Sequence, residues 1–424
     1  MCIRDRLKAV SGVAAKTYSM DINTLAVDSG TYADWGEVGE AVYNGTLTGD
    51  KYIPTVNETD GYYEIETPEA LAYFAYLVNN IAGHAEINGK LMKNIDLFGD
   101  QHTSIAPGSI DQALLWIPIG SASVPYAGTF DGNHYSISNM RVEVDMNGGF
   151  IGFFSGSGAI RNLGIASGKV TVSNDGAGGI VGKIMGTNVE VTGCWNNATI
   201  ISKYHSGGII GWSEHTPGLR IDSCYNLGSV TTGIVYRQDC SGGIAGGLVY
   251  EDSIVQNCYN WGDISGGAGV GGIVGYNATD EKILNCYNAG TITPVASDPR
   301  GGQMCGYGRF RMTNCYYDSK AVSGLWGANG TGITTEKMQS WAFAYKMNGE
   351  NMDGPFQYIE GKYPGFGTLA PADNWQVVGQ GILDDLVTGI TFTPDSALSL
   401  IHIYQRAEVY HSGITEGRPG GDIQ

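Results

Sequence analysis

A short pattern, two glycines followed by an aliphatic run and another glycine, returns along this chain at intervals near thirty residues. Glycine pairs begin at Gly148, Gly178, Gly207, Gly242, Gly271 and Gly301, in steps of 30, 29, 35, 29 and 30. A second element, a cysteine followed by an aromatic residue, keeps the same beat at Cys194, Cys224, Cys258, Cys286 and Cys315, in steps of 30, 34, 28 and 29. A fixed period in this range means stacked supersecondary units, each contacting its neighbours.

The residues inside one period decide the type of unit. Gly-Gly-Ile-Val-Gly is too short and too rich in glycine for a helix. No run within the period places apolar residues at helical spacing. Three short β runs separated by Gly, Asn and Asp fit one turn of a coil. Successive turns would then pair in parallel, about 4.8 Å apart. The expected fold is all-β: a right-handed parallel β-helix, its hand taken from fold precedent, with coils of 29–30 residues and short capping helices at each end.

In such a coil, every column of the repeat becomes a ladder. Ile180, Ile209, Ile244 and Ile273 share the position expected to point inward. Asn196, Asn226, Asn260 and Asn288 lie two residues after the cysteines. An Asn there can bond to the Asn above and tolerates a left-handed backbone. Trp195, Tyr225, Tyr259, Tyr287 and Tyr316 form an aromatic column, read as packing rather than a sugar platform. The five column cysteines are read as free buried thiols, because parallel side chains about 4.8 Å apart hold their Cβ atoms too far apart for a disulfide. Met140 and Leu163 are assigned to the same slot in earlier turns. Cys240 and Cys305 fall outside the column. In the last turn Tyr317 replaces the ladder Asn and Gln303 the inward Ile.

Both ends of the chain look foreign. One nucleotide segment read on its two strands encodes Met1–Asp5 and Leu398–Ile403, as a sequencing adapter would. Residues 1–6 and 398–424 are therefore set aside. Residues 7–60 read as an irregular flank, with 41–55 its only strand-like part. In residues 61–370, a helix over 67–79 has Thr67 as cap and Pro68 in its first turn. Residues 91–97, 114–120 and 128–144 read as early strands. The repeats occupy 148–317, and a second helix is expected at 334–347. Residues 371–397 read as a closing strand or the start of a following β domain. The longest turn, Gly207 to Ser241, is expected to project a loop over 212–241 onto a binding face.

Charge and composition exclude several functions. With 24 Lys and Arg against 42 Asp and Glu, the formal net charge is −18. No basic cluster offers itself to nucleic acid, and an anionic membrane surface would repel the chain. Sixty-five glycines and 25 tyrosines with few lysines suit a secreted β-rich protein. Lyase or glycosidase chemistry needs gathered carboxylates. The candidates Asp131, Asp175, Asp222, Asp239, Asp263, Asp280 and Asp298 fall in different repeat columns on this reading, as turn acids. His84, His102, His134, His205 and His215 are scattered. Residues 266–272 carry no Asp in the register of a calcium-binding nonapeptide. No catalytic, cofactor-binding or metal-ligating residue is assigned, and no cofactor is expected.

The repeats GGIVGYN, GGIIGWS and GGIAGGL, each followed by NCYN or SCYN, resemble GLUG-motif repeats. The flanks, from the TPEALA helix through KNIDL, WIPIG and GTFDGNHYSISN to NCYYD and TTEKM, extend the resemblance over about residues 60–370. It implies a β-helical module of a large surface or secreted, adhesin-like protein of host-associated bacteria. Some family members are attached to IgA-peptidase-type zinc proteases, but this chain has no HExxH motif. The expected role is an adhesive shaft or rigid spacer at the cell surface. Host or dietary glycans and host surface proteins are its candidate partners. A polysaccharide lyase or glycosidase is the alternative.

Overall fold

The computed structural model describes residues 31–366 apart from 99–108, 234–238, 250–251, 268, 295–300, 322–328 and 352. The assignments for 1–6, 371–397 and 398–424, together with Asp298 and His102, lie outside the described residues. The chain winds into a parallel β-solenoid of about eight turns. One coil runs through strands Val181–Gly186, Glu190–Thr192, Trp195–Asn196, Thr199–Ser202 and His205–Gly207. Each pairs in parallel with its equivalent one coil away, as Val191 does with Ile160 and Ile221. The strands assemble into sheets of 14, 9 and 10. At about 4.8 Å per rung, the nine-stranded sheet spans about 40 Å.

The interior is a column of aliphatic side chains. Ile180, Ile209, Ile244 and Ile273 are fully buried, and each donates its N–H to the next, at 3.1, 3.0 and 2.9 Å; the series ends on the Met304 carbonyl, 2.8 Å from the Ile273 N–H. Met304, rather than Gln303, therefore continues the inward column, and Gln303 falls in register with Gly272. The last glycine pair is offset by one residue. Cys305 pairs with Val274 and fills an aliphatic slot. The five column cysteines are buried and unbridged. Met140 is not in their column. It pairs with Gly168, and the slot below Leu163 belongs to Tyr135, whose carbonyl receives the Gly164 N–H.

Two asparagine columns divide the work that sequence reading gave to one. The Asn162, Asn257, Asn285 and Asn314 backbones have φ between 52° and 54°, with Gly193 and Ser223 at the same turn in other coils. This column takes the left-handed turn ahead of the cysteine. The second column, Asn196 to Asn288, is extended and wholly buried. Its amides stack along the axis: Nδ2 of Asn196, Asn226 and Asn260 donate to the next Oδ1 at 2.9, 2.8 and 2.8 Å. Each Nδ2 also donates to the carbonyl two residues on, at 3.0, 2.7, 2.8 and 3.0 Å. The Asn-x-Gly spacing is steric as well. A Cβ on Gly262 would lie 2.0 Å from the Gly228 carbonyl oxygen.

The flanks differ from the sequence reading in several places: of residues 41–55, read as strand-like, 41–43 close a helix and only Thr55–Val56 begins a strand, and the helix expected over 334–347 is two, Thr335–Met338 and Trp341–Met347. The stretch read as irregular contains α1, Trp35–Tyr43, capped by Asp34. Its small apolar face (Trp35, Val38, Val42) packs on α2, Pro68–Asn80, where Thr67 caps Ala70. Residues 114–120 contribute isolated bridges at Leu115 and Ile119 instead of a strand. Phe74 of α2 meets Phe130 edge-on at 5.8 Å, closing the first coil. After the last coil, α3 (Thr335–Met338) and α4 (Trp341–Met347) lie along the flank, with Phe343 against Tyr287 and Tyr316. The long turn places its additional residues between Thr232 and Cys240, of which 234–238 are outside the described residues.

Asn226→Ala strands the Asn196 donor, the Asn260 side of the ladder and the Gly228 carbonyl, so unfolding in guanidinium should show a loss of about 3 kcal/mol. Asn197→Ala, at an exposed neighbour whose side-chain amide donates to the Ala166 carbonyl, should change stability by less than about 0.5 kcal/mol. A maleimide should label none of the buried column thiols in the native protein and all of them in denaturant. Burial raises the Cys194, Cys258 and Cys315 thiols. The folded state then holds protons that the unfolded chain releases above about pH 8.5. The contribution of these three thiols to stability should be flat below that pH and fall as pH rises beyond it, by up to about 1.4 kcal/mol per pH unit for each. A thermal midpoint that climbs between pH 8.5 and 10 would contradict this assignment.

Candidate binding face

The aromatic column found in the sequence is not a free surface. Trp195, Tyr225, Tyr259 and Tyr287 stack ring on ring, with centroids 5.8, 4.8 and 5.3 Å apart and planes within 10°. Phe343, Phe356 and Phe366 then cover them from outside. Tyr287 is fully buried; its hydroxyl accepts from Trp261 Nε1 at 2.7 Å and donates to the Pro364 carbonyl. Burial pushes the Tyr259 and Tyr287 phenols up. This column glues the C-terminal helices and the hairpin 356–366 to the shaft.

A second outward column runs along another face. Phe153, Lys183, Trp212, Gly247, Tyr276 and Tyr307 are partners in six successive coils. Lys183 Nζ lies 5.9 Å from the Phe153 ring centroid and 2.8 Å from Glu214 Oε2. The Lys183 ammonium holds the Glu214 carboxyl below its ordinary range. Trp212 leans across Gly247, where a Cβ would stand 2.1 Å from the indole. That lean brings Trp212 to 6.0 Å from Tyr276 although a whole coil separates them, and Tyr307 follows at 5.9 Å. At the near end, His205 packs on Trp212 with centroids 3.8 Å apart, and its Nδ1 meets Asp175 Oδ1 at 2.5 Å. The carboxylate therefore orients the imidazole, drawing Nδ1–H toward itself.

Comparison with known proteins places these coils. Residues 266–293 match the family model of the GLUG motif. The chain carries GLUG repeats. It is 30% identical over 210 residues to halomucin of Haloquadratum walsbyi (strain DSM 16790 / HBSQ001), covering 48% of this chain but 2% of that protein. A crystal structure from Bacteroides ovatus, provisionally assigned as an immunoglobulin A1 protease, superposes with a TM-score of 0.55 at 20% identity, covering 74% of this chain and 93% of that one. At that identity the likeness is one of fold. An IgA1 protease structure gives a TM-score of 0.43 at 15% identity, over 63% of this chain and 20% of that one.

Within the GLUG coils, most of the candidate acids serve coil-to-coil bonding. Asp131 and Asp222 share one column, contrary to the sequence reading, with Arg161 and Thr192 between them. Asp131 receives Arg161 Nε at 3.1 Å. Asp222 accepts from Arg220, Gln256, Asn257 and Ser223, and these bonds outweigh burial and lower its pKa. Asp263 accepts the Thr291 N–H at 3.1 Å. Asp239 is fully buried, and the Asp280 side chain is outside the description. Asp175 meets a histidine, His205. His134 and His215 occupy left-handed turns, and His84 lies near the Ala82 carbonyl.

The outward strip escaped sequence reading because its residue type changes at each coil. Its signal is positional: it is the residue directly after the last glycine of each Gly-Gly-x-x-Gly run, Lys183, Trp212, Gly247 and Tyr276. Gly247→Ala should cost about 1–3 kcal/mol, because the new methyl displaces the Trp212 indole. The same change should be nearly neutral in a Trp212→Ala background. Additive costs in a double-mutant cycle would show that the ring does not depend on the gap.

Proposed function

We propose that this chain is a non-catalytic module of a larger surface or secreted protein, acting as an adhesive shaft. The observation that carries this reading is the continuity of the ladders. Amide, aliphatic, thiol and aromatic columns pass from coil to coil, and Asp131 and Asp222 are consumed by bonds between coils. Such a shaft resists bending because its hydrogen bonds run along its axis. The GLUG match and the similarity to halomucin support a place at a surface or in secretion. Among the described residues, no helix is long and apolar enough to cross a membrane.

A second reading, a polysaccharide-degrading enzyme, draws on the one place where Asp175, His205, Lys183 and Glu214 gather around Trp212. One experiment separates the two. The full chain is incubated with mucins and plant polysaccharides, following retention on each and release of reducing or unsaturated ends. Retention without product is expected. Product release that disappears in His205→Ala would establish the enzyme instead, and neither signal would leave a spacer.

A further inference from the structure

The aromatic column is covered along most of its length and open at one end. Phe343, Phe356 and Phe366 reach Tyr225, Tyr259, Tyr287 and Tyr316. Trp195, at the N-terminal end, is half-buried, and its one ring contact among the described residues is Tyr225, at 5.8 Å. The next rung on the other side is Gly164. A Cβ there would stand 2.2 Å from the indole and 2.4 Å from its Nε1, so the indole itself occupies that place. One rung further, about 4.8 Å along the axis, stands Ser136, too small to cover an indole.

Polar groups border the face turned away from Tyr225. Asn197 is exposed, and its Nδ2 donates to the Ala166 carbonyl at 3.0 Å, which holds it beside the Gly164 rung. Asn94 is exposed on the far side, where its Oδ1 accepts from the Ser136 N–H at 2.9 Å and from the Ser136 hydroxyl at 3.3 Å. Trp195 Nε1, Asn94 Nδ2 and Asn197 Oδ1 make no hydrogen bond among the described residues. Two donors and one acceptor, none of them charged, therefore face outward there. The charges flanking Asn94 in the chain are engaged elsewhere: Lys93 meets Glu66 at 2.8 Å, and Asp96 accepts from Asn139 at 2.8 Å.

We propose that Trp195 binds a neutral pyranose, stacked on the indole face turned away from Tyr225, with Asn94 Nδ2 and Asn197 Oδ1 bonding its hydroxyls. The proposal rests on the adhesive reading and names its ligand class. A pyranose offers weakly positive C–H groups to the negative face of an aromatic ring. Its hydroxyls both donate and accept, so they match an amide donor on one side and an amide acceptor on the other. A charged sugar would find no opposite charge here to offset its desolvation. A peptide cannot add as a further strand, because Trp195–Asn196 is paired on both sides, with Gly164–Ile165 and with Tyr225–Asn226.

The test titrates the full chain, by calorimetry, with neutral glucose and galactose oligomers, a galacturonate oligomer and a proline-rich peptide. One of the neutral oligomers should bind at least about tenfold more tightly than galacturonate or the peptide. Trp195→Ala should weaken it about tenfold, and Trp195→Phe should keep most of it. Ser136→Leu leaves the indole in place but fills the space in front of it, and should abolish binding. Asn94→Asp keeps the acceptor for Ser136 and removes the donor, which should weaken binding about fivefold. Because Trp195→Ala also loses the stack on Tyr225, Ser136→Leu decides the matter if the thermal midpoint of Trp195→Ala falls. Neutral sugar bound equally well by Trp195→Ala and Ser136→Leu would overturn the assignment. So would galacturonate or the peptide bound as tightly and with the same dependence on Trp195. A chain retained by mucins or plant polysaccharides that binds neither neutral oligomer overturns this assignment alone. A chain retained by no glycan overturns the adhesive reading as well.

Discussion

The buried amide ladder is the interaction on which the rest of this solenoid depends. Asn196, Asn226, Asn260 and Asn288 have no access to solvent, so each amide must find all its partners within the protein or cost several kcal/mol. It finds them only when the Asn below and above are in register and the chain turns back two residues later, as the bonds to Ala198, Gly228, Gly262 and Gly290 show. A slip of one residue would break every rung at once. An aliphatic column tolerates small displacements, since dispersion is not directional. The amides therefore set the register, and the aliphatic column supplies most of the burial.

Register set in this way determines what the outer faces can do. Once coils stack without drift, a residue at one position recurs about 4.8 Å above its equivalent, and side chains on a face form lines. Where the line is aromatic and followed in the chain by a helical segment, as at Tyr225 to Tyr316, the rings become an adhesive surface for that segment. On another face the line from Trp212 to Tyr307 stacks ring on ring across Gly247. The same geometry draws acids of the shaft into bonds between coils. Arg161 beside Asp131 and Gln256 beside Asp222 occupy adjacent rungs, so bonding along the axis engages the carboxylates before a substrate could.

Much of the fold was legible because repetition turns weak local signals into a strong one. Five cysteines at one spacing identify a buried column, and the observed thiols are unbridged at those positions. Repetition also misled where two columns shared a residue type. In Asn-Cys-Tyr-Asn the first Asn takes the left-handed turn and the second the amide ladder, yet both looked alike in sequence. α1 was hidden because Gly36 and Gly39 interrupt its helical pattern. Gly39 is retained there for packing, since a Cβ would lie 2.3 Å from the Ala72 carbonyl oxygen of α2. The outward strip was illegible for the opposite reason. Its side chains vary from Lys183 to Trp212 to Gly247, so only their shared position marks them.

That variation itself bears on function. A column held for stability keeps one residue type, because each rung must match the next, as the amides do. A column that varies is released from that demand. Gly247 illustrates the point: it forfeits a side chain on its own rung and thereby lets Trp212 reach toward Tyr276. The result is a run of rings, from Trp212 to Tyr276 to Tyr307, that contributes little to register. The inner columns, uniform from coil to coil, fix the register, and the outer line varies on the frame they set.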